Sequence, residues 1–244
     1  VSKHGDVARG DGWELRLGPY QDVLSGVDVD ALITDTPYSA KTHKGHDGGM
    51  ADVKDDSDRR ALSYSYWVPQ DVVDFCVHWS PRVRGWFACM SDDVLAPVWR
   101  GSLIGLGRYG FAPVPCVIPG MTVRVRGDGP SSWGIWLNVA RPSTKEFASW
   151  GTLRGDYRAS PERGRHIGGK PLAMMRAIVR DYSRKGDLVC DPCAGGATTL
   201  LASVLEGRRA IGAELDPATF DKAVARLRRG YTPAFDFGDD EASP

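Results

Sequence analysis

The stretch Leu188-Val189-Cys190-Asp191-Pro192-Cys193-Ala194-Gly195-Gly196-Ala197-Thr198-Thr199-Leu200-Leu201, followed by Ala210-Ile211-Gly212-Ala213-Glu214, decides the fold. A short apolar run ends at an acid and a proline, a glycine-rich turn follows, a helix runs through Leu205, and a second apolar run ends at Glu214. That is a βαβ unit, and such units build a parallel sheet with helices on its faces and ligand sites at the carboxyl ends of its strands. The glycines let the backbone turn sharply and approach a ligand, and the next helix aims its amino end at a carboxylate or phosphate. Glu214 lies 23 residues after Asp191, close to the spacing at which dinucleotide folds place the acid that holds ribose hydroxyls. A phosphate P-loop is excluded, because Ala197 stands where a lysine must precede Thr198, and the G-x-G-x-x-G spacing is also absent. A plain structural turn is the competing account of such a pattern taken alone.

Working outward, Pro171 to Ser183 has helical spacing at Leu172, Met175, Ile178, Val179 and Tyr182, with Pro171 suited to a first turn. Toward the amino end, Val27 to Thr34 reads as a buried strand that stops at Asp35, with an earlier strand over Trp13 to Leu17. Ser39 to Asp58 has no hydrophobic period and reads as a long mobile loop. A helix over Pro69 to His78 and a strand over Trp86 to Met90 come next. Phe111 to Ile118 and Trp133 to Val139 form two strand-like runs, expected as a hairpin at one sheet edge, with Trp133 and Trp136 in its core. Pro142 to Gly169 is polar and turn-rich. The fold class expected is α/β: a Rossmann-like, mostly parallel, doubly wound sheet with an antiparallel hairpin at one edge.

Composition bounds the partners less sharply. Lys plus Arg number 31 and Asp plus Glu 31, so charge alone neither demands nor excludes nucleic acid. A basic strip at Arg154, Arg158, Arg163, Arg165 and Lys170 contrasts with an acidic tail over 235–244, and either is ordinarily a solvated surface. Five scattered cysteines suit a reducing, cytoplasmic setting better than a disulfide framework. Cys190 and Cys193 form a C-x-x-C with no second Cys/His pair at zinc spacing, so they read as small packed hydrophobes and no metal is expected. His43 and His46, without a third ligand, read as solvated. No apolar run approaches the ~20 residues that cross a bilayer, and no leader-like segment is apparent, so neither secretion nor membrane insertion is expected.

Four segments in one order resemble the DNA amino-methyltransferases. Asp191 to Thr199 is similar to the family's D-P-F-x-G-S-G-T-T cofactor loop, and Asp35-Thr36-Pro37-Tyr38 to its D-P-P-Y tetrapeptide. His166-Ile167-Gly168-Gly169-Lys170-Pro171-Leu172 resembles H-P-T-Q-K-P-L, and Gly212 to Asp216 the acidic strand end. With the tetrapeptide first, the order is that of the beta group, and the likeness spans about residues 13 to 228. The resemblance implies one methyltransferase domain over 1–244, with small target-recognition insertions near 39–66 and 121–165. It implies S-adenosylmethionine as cofactor, contacted by His166, Lys170, Asp191, Pro192, Cys193, Ala194, Gly195, Gly196, Thr198, Thr199 and Glu214. It implies DNA as partner, with Lys41, His43, Lys44, Arg154 and Arg158 as phosphate contacts, and a homodimer, although no coiled-coil heptad enforces one.

The implied chemistry suits the residue types. Methyl transfer to an exocyclic amine requires two acceptors for the amino hydrogens and an in-line approach; the Asp35 carboxylate and the Thr36 carbonyl are those acceptors, Pro37 shapes the turn, and Tyr38 stacks on a flipped base. Adenine N6 is the expected target, since cytosine-N4 members usually carry S-P-P-W; cytosine N4 is the alternative. Departures from the family pattern are Thr36 for proline, Cys193 for phenylalanine, Ala197 for glycine, and Leu17-Gly18-Pro19 where Gly-Asp is common. Ala197 is expected to put a methyl where backbone must approach the cofactor closely. These changes motivate a further alternative, a catalytically weak DNA-binding relative, and the same acceptor pair would serve RNA or a protein amide.

Overall fold

A computed structural model describes residues 2–42, 65–119, 134–160 and 169–230. In chain order the elements are β1 (Val7–Gly10), β2 (Trp13–Leu17), α1 (Tyr20–Val23), β3 (Ala31–Asp35), α2 (Pro69–Trp79), β4 (Phe87–Ser91), α3 (Ala96–Gly105), β5 (Tyr109–Gly110) and β6 (Val114–Val117). They continue with β7 (Gly134–Arg141), α4 (Lys145–Ala148), β8 (Tyr157–Arg158), α5 (Leu172–Tyr182), β9 (Leu188–Asp191), α6 (Thr198–Leu205), β10 (Arg209–Glu214) and α7 (Pro217–Arg229).

All ten strands join one sheet in the order β1-β2-β10-β9-β3-β4-β7-β6-β8, with β5 added on β7. The block β2-β10-β9-β3-β4 is parallel throughout. Alternation along the strands makes two cores. Ile33, Ala88 and Met90 face α5, α6 and α7 on one side, where Met175, Ile178, Leu200, Leu201, Phe220 and Ala223 complete the layer. Leu32, Phe87, Cys89 and Cys190 face the other side and meet Val72, Phe75, Trp79, Trp99 and Leu103 of α2 and α3. The expected doubly wound, mostly parallel sheet is present.

Local chemistry explains the element ends. In α2, Val72, Phe75, Cys76 and Trp79 recur on one buried face, Pro69 opens the first turn, and Asp71 accepts from the Val68 N–H at 2.7 Å. Helix α7 opens with Asp216 accepting from Thr219 N–H at 2.8 Å and stops at Gly230.

Several expectations change. The run beginning at Val27 contributes only an isolated bridge, Val29 to Val83, before the ladder of β3 starts at Ala31. β6 and β7 pair antiparallel as expected, but β7 lies inside the sheet between β4 and β6, and β8 forms the outer edge. Trp136 is 37% exposed, not core, because burial along β7 begins only at Leu137, where the helix layers reach the strand. Trp133 lies outside the described residues. Helix α3 had no clear sequence signal: only Ala96, Trp99 and Leu103 are buried, and Gly101 and Gly105 interrupt it. Among the described residues no helix is long and apolar enough to cross a membrane.

Candidate active site

The chain leaves β3 toward β4 on one side and leaves β9 toward β10 on the other, so the adjacent strands β3 and β9 are the point where the winding reverses. Crevices at such points bind ligands beyond the carboxyl ends of the strands. Acids stand at or just past four of those ends: Asp35 on β3, Asp92 after β4, Asp191 on β9 and Glu214 on β10. The seam is tied directly, Thr34 Oγ1 donating to Asp191 Oδ1 at 2.6 Å.

Asp191 is 2% exposed and its carboxyl is pushed up to about 6 by burial, against the hydroxyls of Thr199 and Thr34 and the Cys193 N–H, which hold it down. These are neutral donors. The turn they frame is tight. Gly195 has φ +50 and Ala197, the residue before α6, has φ +57, the left-handed region. Gly212 is required by close approach, since a Cβ there would meet the Asp191 carbonyl oxygen at 2.9 Å. Glu214 is raised by burial, opposed by backbone N–H groups of Asp216, Gly195 and Leu215, so its carboxylate faces the turn. Burial, reinforced by the Asp191, Glu214 and Asp35 carboxylates, also drives the Cys193 thiol far up, which leaves it protonated and unreactive.

Across the seam, Asp35 carries a donor on each oxygen: Tyr38 Oη–H donates to Oδ1 at 2.8 Å and the Lys170 ammonium to Oδ2. The ammonium also lies 5.2 Å from the centroid of the Tyr38 ring. Thr36 is buried, and its hydroxyl donates to the Met90 carbonyl at 3.0 Å. That bond fastens the tetrapeptide to β4, a contact proline cannot make. Just beyond, Asp92 accepts from Ser39 N–H at 2.9 Å, the Ser39 hydroxyl, the Thr42 hydroxyl at 2.7 Å and Leu95 N–H at 3.1 Å. Burial works to raise Asp92, but these donors outweigh it and hold the carboxyl below its usual range.

A family model described as DNA methylase matches residues 133–225, which include the turn, Asp191 and Glu214. This stretch of the chain is similar to the N6/N4 DNA methylase family. Among curated proteins, type II methyltransferase M.HindIII of Haemophilus influenzae is 37% identical over 68 residues, 28% of this chain and 22% of that protein. M.Cfr9I of Citrobacter freundii is 28% identical over 115 residues, 41% of this chain and 38% of that one. The matched stretches thus span less than two fifths of these curated relatives. Among solved structures, a complex of M1.HpyAVI with SAM superposes with TM-score 0.63 at 21% identity, covering 88% of this chain and all of that one. The PvuII cytosine-N4-specific DNA methyltransferase superposes with TM-score 0.60 at 13% identity, covering 88% and 85%. Both likenesses establish a shared fold.

The residues singled out in the sequence fall into three groups. Asp191, Pro192, Cys193, Ala194, Gly195, Gly196, Thr198, Thr199 and Glu214 gather at the β9–α6 turn and the end of β10. Asp35, Thr36, Pro37 and Tyr38 stand beside them at the end of β3. Lys170, grouped with the cofactor loop by resemblance, pairs with Asp35. The Ala197 methyl does not protrude toward a ligand: the residue is fully buried in the first core, so the expected steric conflict does not arise. Lys41 pairs with Asp93 at 2.9 Å, Arg158 with Asp156 at 2.7 Å and Arg154 with Asp181 at 3.5 Å, all with exposed basic side chains. His43, Lys44 and His166 lie outside the described residues, as do Arg163 and Arg165 of the basic strip and residues 43–58 of the expected loop.

Three further residues build the site without having been singled out. Thr34 ties the seam, Asp92 anchors the chain leaving Tyr38, and Arg226 on α7 donates to the Gly196 carbonyl at 2.7 Å and the Thr198 hydroxyl at 2.8 Å, bracing the turn. Asp92 had a usable signal, an acid directly after a buried parallel strand. Arg226 had none, since its role depends on how α7 docks.

Proposed function

We propose that this chain is an S-adenosylmethionine-dependent DNA methyltransferase that modifies the exocyclic amine of a flipped base, adenine N6 in the first instance. The observation that carries the proposal is the β3–β9 seam, where the tetrapeptide and the glycine-rich turn meet across the Thr34 to Asp191 hydrogen bond. The turn fits the cofactor on its donor set. Asp191 is a buried carboxylate satisfied by neutral groups, which a cationic ligand would favour; Glu214 suits a ribose diol, and the amino end of α6 a carboxylate. When bound, S-adenosylmethionine supplies an electrophilic methyl carbon on a sulfonium.

The chain's own residues do the rest. The Asp35 carboxylate and the Thr36 carbonyl accept the two amino hydrogens and turn the nitrogen lone pair toward the methyl carbon. On transfer of the methyl group the amine would release its proton along the hydrogen bond to Asp35, which is placed to receive it. Tyr38, its hydroxyl fixed on Asp35, offers a ring face to the base. Lys41, Arg154 and Arg158 exchange weak surface ion pairs for phosphates, since exposed pairs of this kind contribute about 1 kcal/mol or less. In this proposal residues 1–244 act as one domain, segments 39–66 and 121–165 read the target, and five reduced cysteines suit the cytoplasm. Cytosine N4 is the second reading, favoured by the fold shared with the cytosine-N4-specific PvuII enzyme.

The test is incubation with labelled S-adenosylmethionine and unmethylated duplex DNA, then digestion and nucleoside mass analysis. N6-methyladenine is expected, with a loss of about a hundredfold or more in the Asp35→Ala variant, the scale of removing one placed transition-state contact. N4-methylcytosine would reassign the base. Cofactor binding without any modified base would sink the DNA reading.

A further inference from the structure

Resting on the base site just proposed, we infer that Lys170 is a competing occupant of that site, an internal stand-in for the target amine that must withdraw before a base is seated. The two contacts required of the base are a donated hydrogen bond to the Asp35 carboxylate and a place over the Tyr38 ring. Lys170 makes both, its ammonium on Asp35 Oδ2 and 5.2 Å from the ring centroid. It is 8% exposed, so it is enclosed in the crevice and not extended toward solvent or a phosphate. It stands two residues before α5, on a different part of the chain from the tetrapeptide, and the sheet alone brings the two together.

An ammonium is a good mimic here. It donates to a carboxylate as an amine does, and its charge is attracted to an aromatic face as a base is drawn to stack there. While it is in place, Asp35 is paired and its side chain is 26% exposed. A base that enters exchanges one donor for another, so the carboxylate stays satisfied at both ends of the exchange. The consequence is thermodynamic: only the fraction of molecules with the ammonium withdrawn is competent, and the apparent affinity for the flipped base falls by that fraction.

The experiment uses the full chain and a duplex carrying the sequence that the unaltered protein methylates, with 2-aminopurine beside the target base, whose own amine is kept, to report by its fluorescence when that base leaves the stack. Lys170→Met is expected to bind this duplex about tenfold more tightly and with a larger flipped fraction, as follows if about nine molecules in ten hold the ammonium in the site. Its affinity for S-adenosylmethionine, measured by calorimetry, is expected to stay within about twofold of the unaltered protein on the same basis. Weaker duplex binding in Lys170→Met would overturn the inference in favour of a phosphate contact, and a tenfold loss of cofactor affinity would overturn it in favour of a cofactor contact. Lys170→Arg, which keeps a cation on Asp35, guards against a folding artefact and is expected to bind the duplex as the unaltered protein does. A structure of the unaltered protein with the base seated decides directly: an ammonium still on both Asp35 and Tyr38 would refute the exchange. If the unaltered protein neither binds S-adenosylmethionine nor methylates, the methyltransferase reading fails, and this inference falls with it.

Discussion

The two sides of the β3–β9 seam handle their carboxylates in opposite ways. On the β4 side, Asp92 is surrounded by four donors and held below its usual range. On the β9 side, Asp191 is more deeply buried, meets three donors as neutral as those on Asp92, and is pushed up to about 6, with Glu214 raised beside it. Asp92 shapes the chain that leaves the tetrapeptide, so full satisfaction rigidifies it. Asp191 lines the turn proposed to receive a cation, so its charge is left under-compensated until the ligand arrives.

The contrast breaks if Asp92→Ala is mild. Removing the acceptor strands the buried Ser39 hydroxyl, the half-buried Thr42 hydroxyl and two backbone N–H groups, and a loss of about 3 kcal/mol in urea denaturation at pH 7 is expected. Because the folded form holds Asp92 below its ordinary value of 3.8, its contribution is present above that value and is lost as pH falls through the folded pKa. Unfolding curves recorded below pH 4 should show this loss in the unaltered protein and none of it in the variant.

Asp191→Asn should act with the opposite sign. The folded pKa lies above the unfolded one, so the favourable contribution is complete below 3.8 and is lost as pH rises through about 6. At pH 8 the buried charge costs about 3 kcal/mol, and the asparagine variant should be more stable by that amount while its S-adenosylmethionine affinity drops tenfold or more. A variant less stable than the unaltered protein at pH 8 would show that the carboxylate is fully compensated and erase the distinction between the two sides.

The smallest expected effect concerns Ala197. Its left-handed φ of +57 costs about 1 kcal/mol relative to glycine, but its methyl is fully buried and offsets about 0.8 kcal/mol of that. Ala197→Gly should therefore change stability by about 0.5 kcal/mol or less, and leave cofactor affinity unchanged, since the methyl faces the core. A clear gain in affinity would mean that the methyl intrudes on the ligand after all.

Most of the fold was legible because its signals are local. Trp13–Leu17, Pro69–Trp79 and Leu188–Glu214 announce their periods within a few residues, and caps such as Asp216 and Pro69 act over a single turn. The weak elements were those whose existence depends on neighbours: α3 with its two glycines, the two-residue strands β5 and β8, and the exposed start of β7 at Trp136. No pattern inside such segments says what will cover them.

The site divides along the same line. The sequence by itself determined which residues bear the chemistry, since Asp35 to Tyr38 and Asp191 to Thr199 are contiguous runs whose turns and side-chain types carry their own signature. Only the tertiary structure decided what those groups touch: Thr34 on Asp191, Arg226 under the turn, four donors on Asp92, and Lys170 on the catalytic carboxylate proposed here. Apart from the Leu95 N–H on Asp92, each of these contacts joins positions far apart in the chain. Their hydrogen bonds and charges act over a few ångströms, and only the docking of strands and helices determines which distant residues come that close.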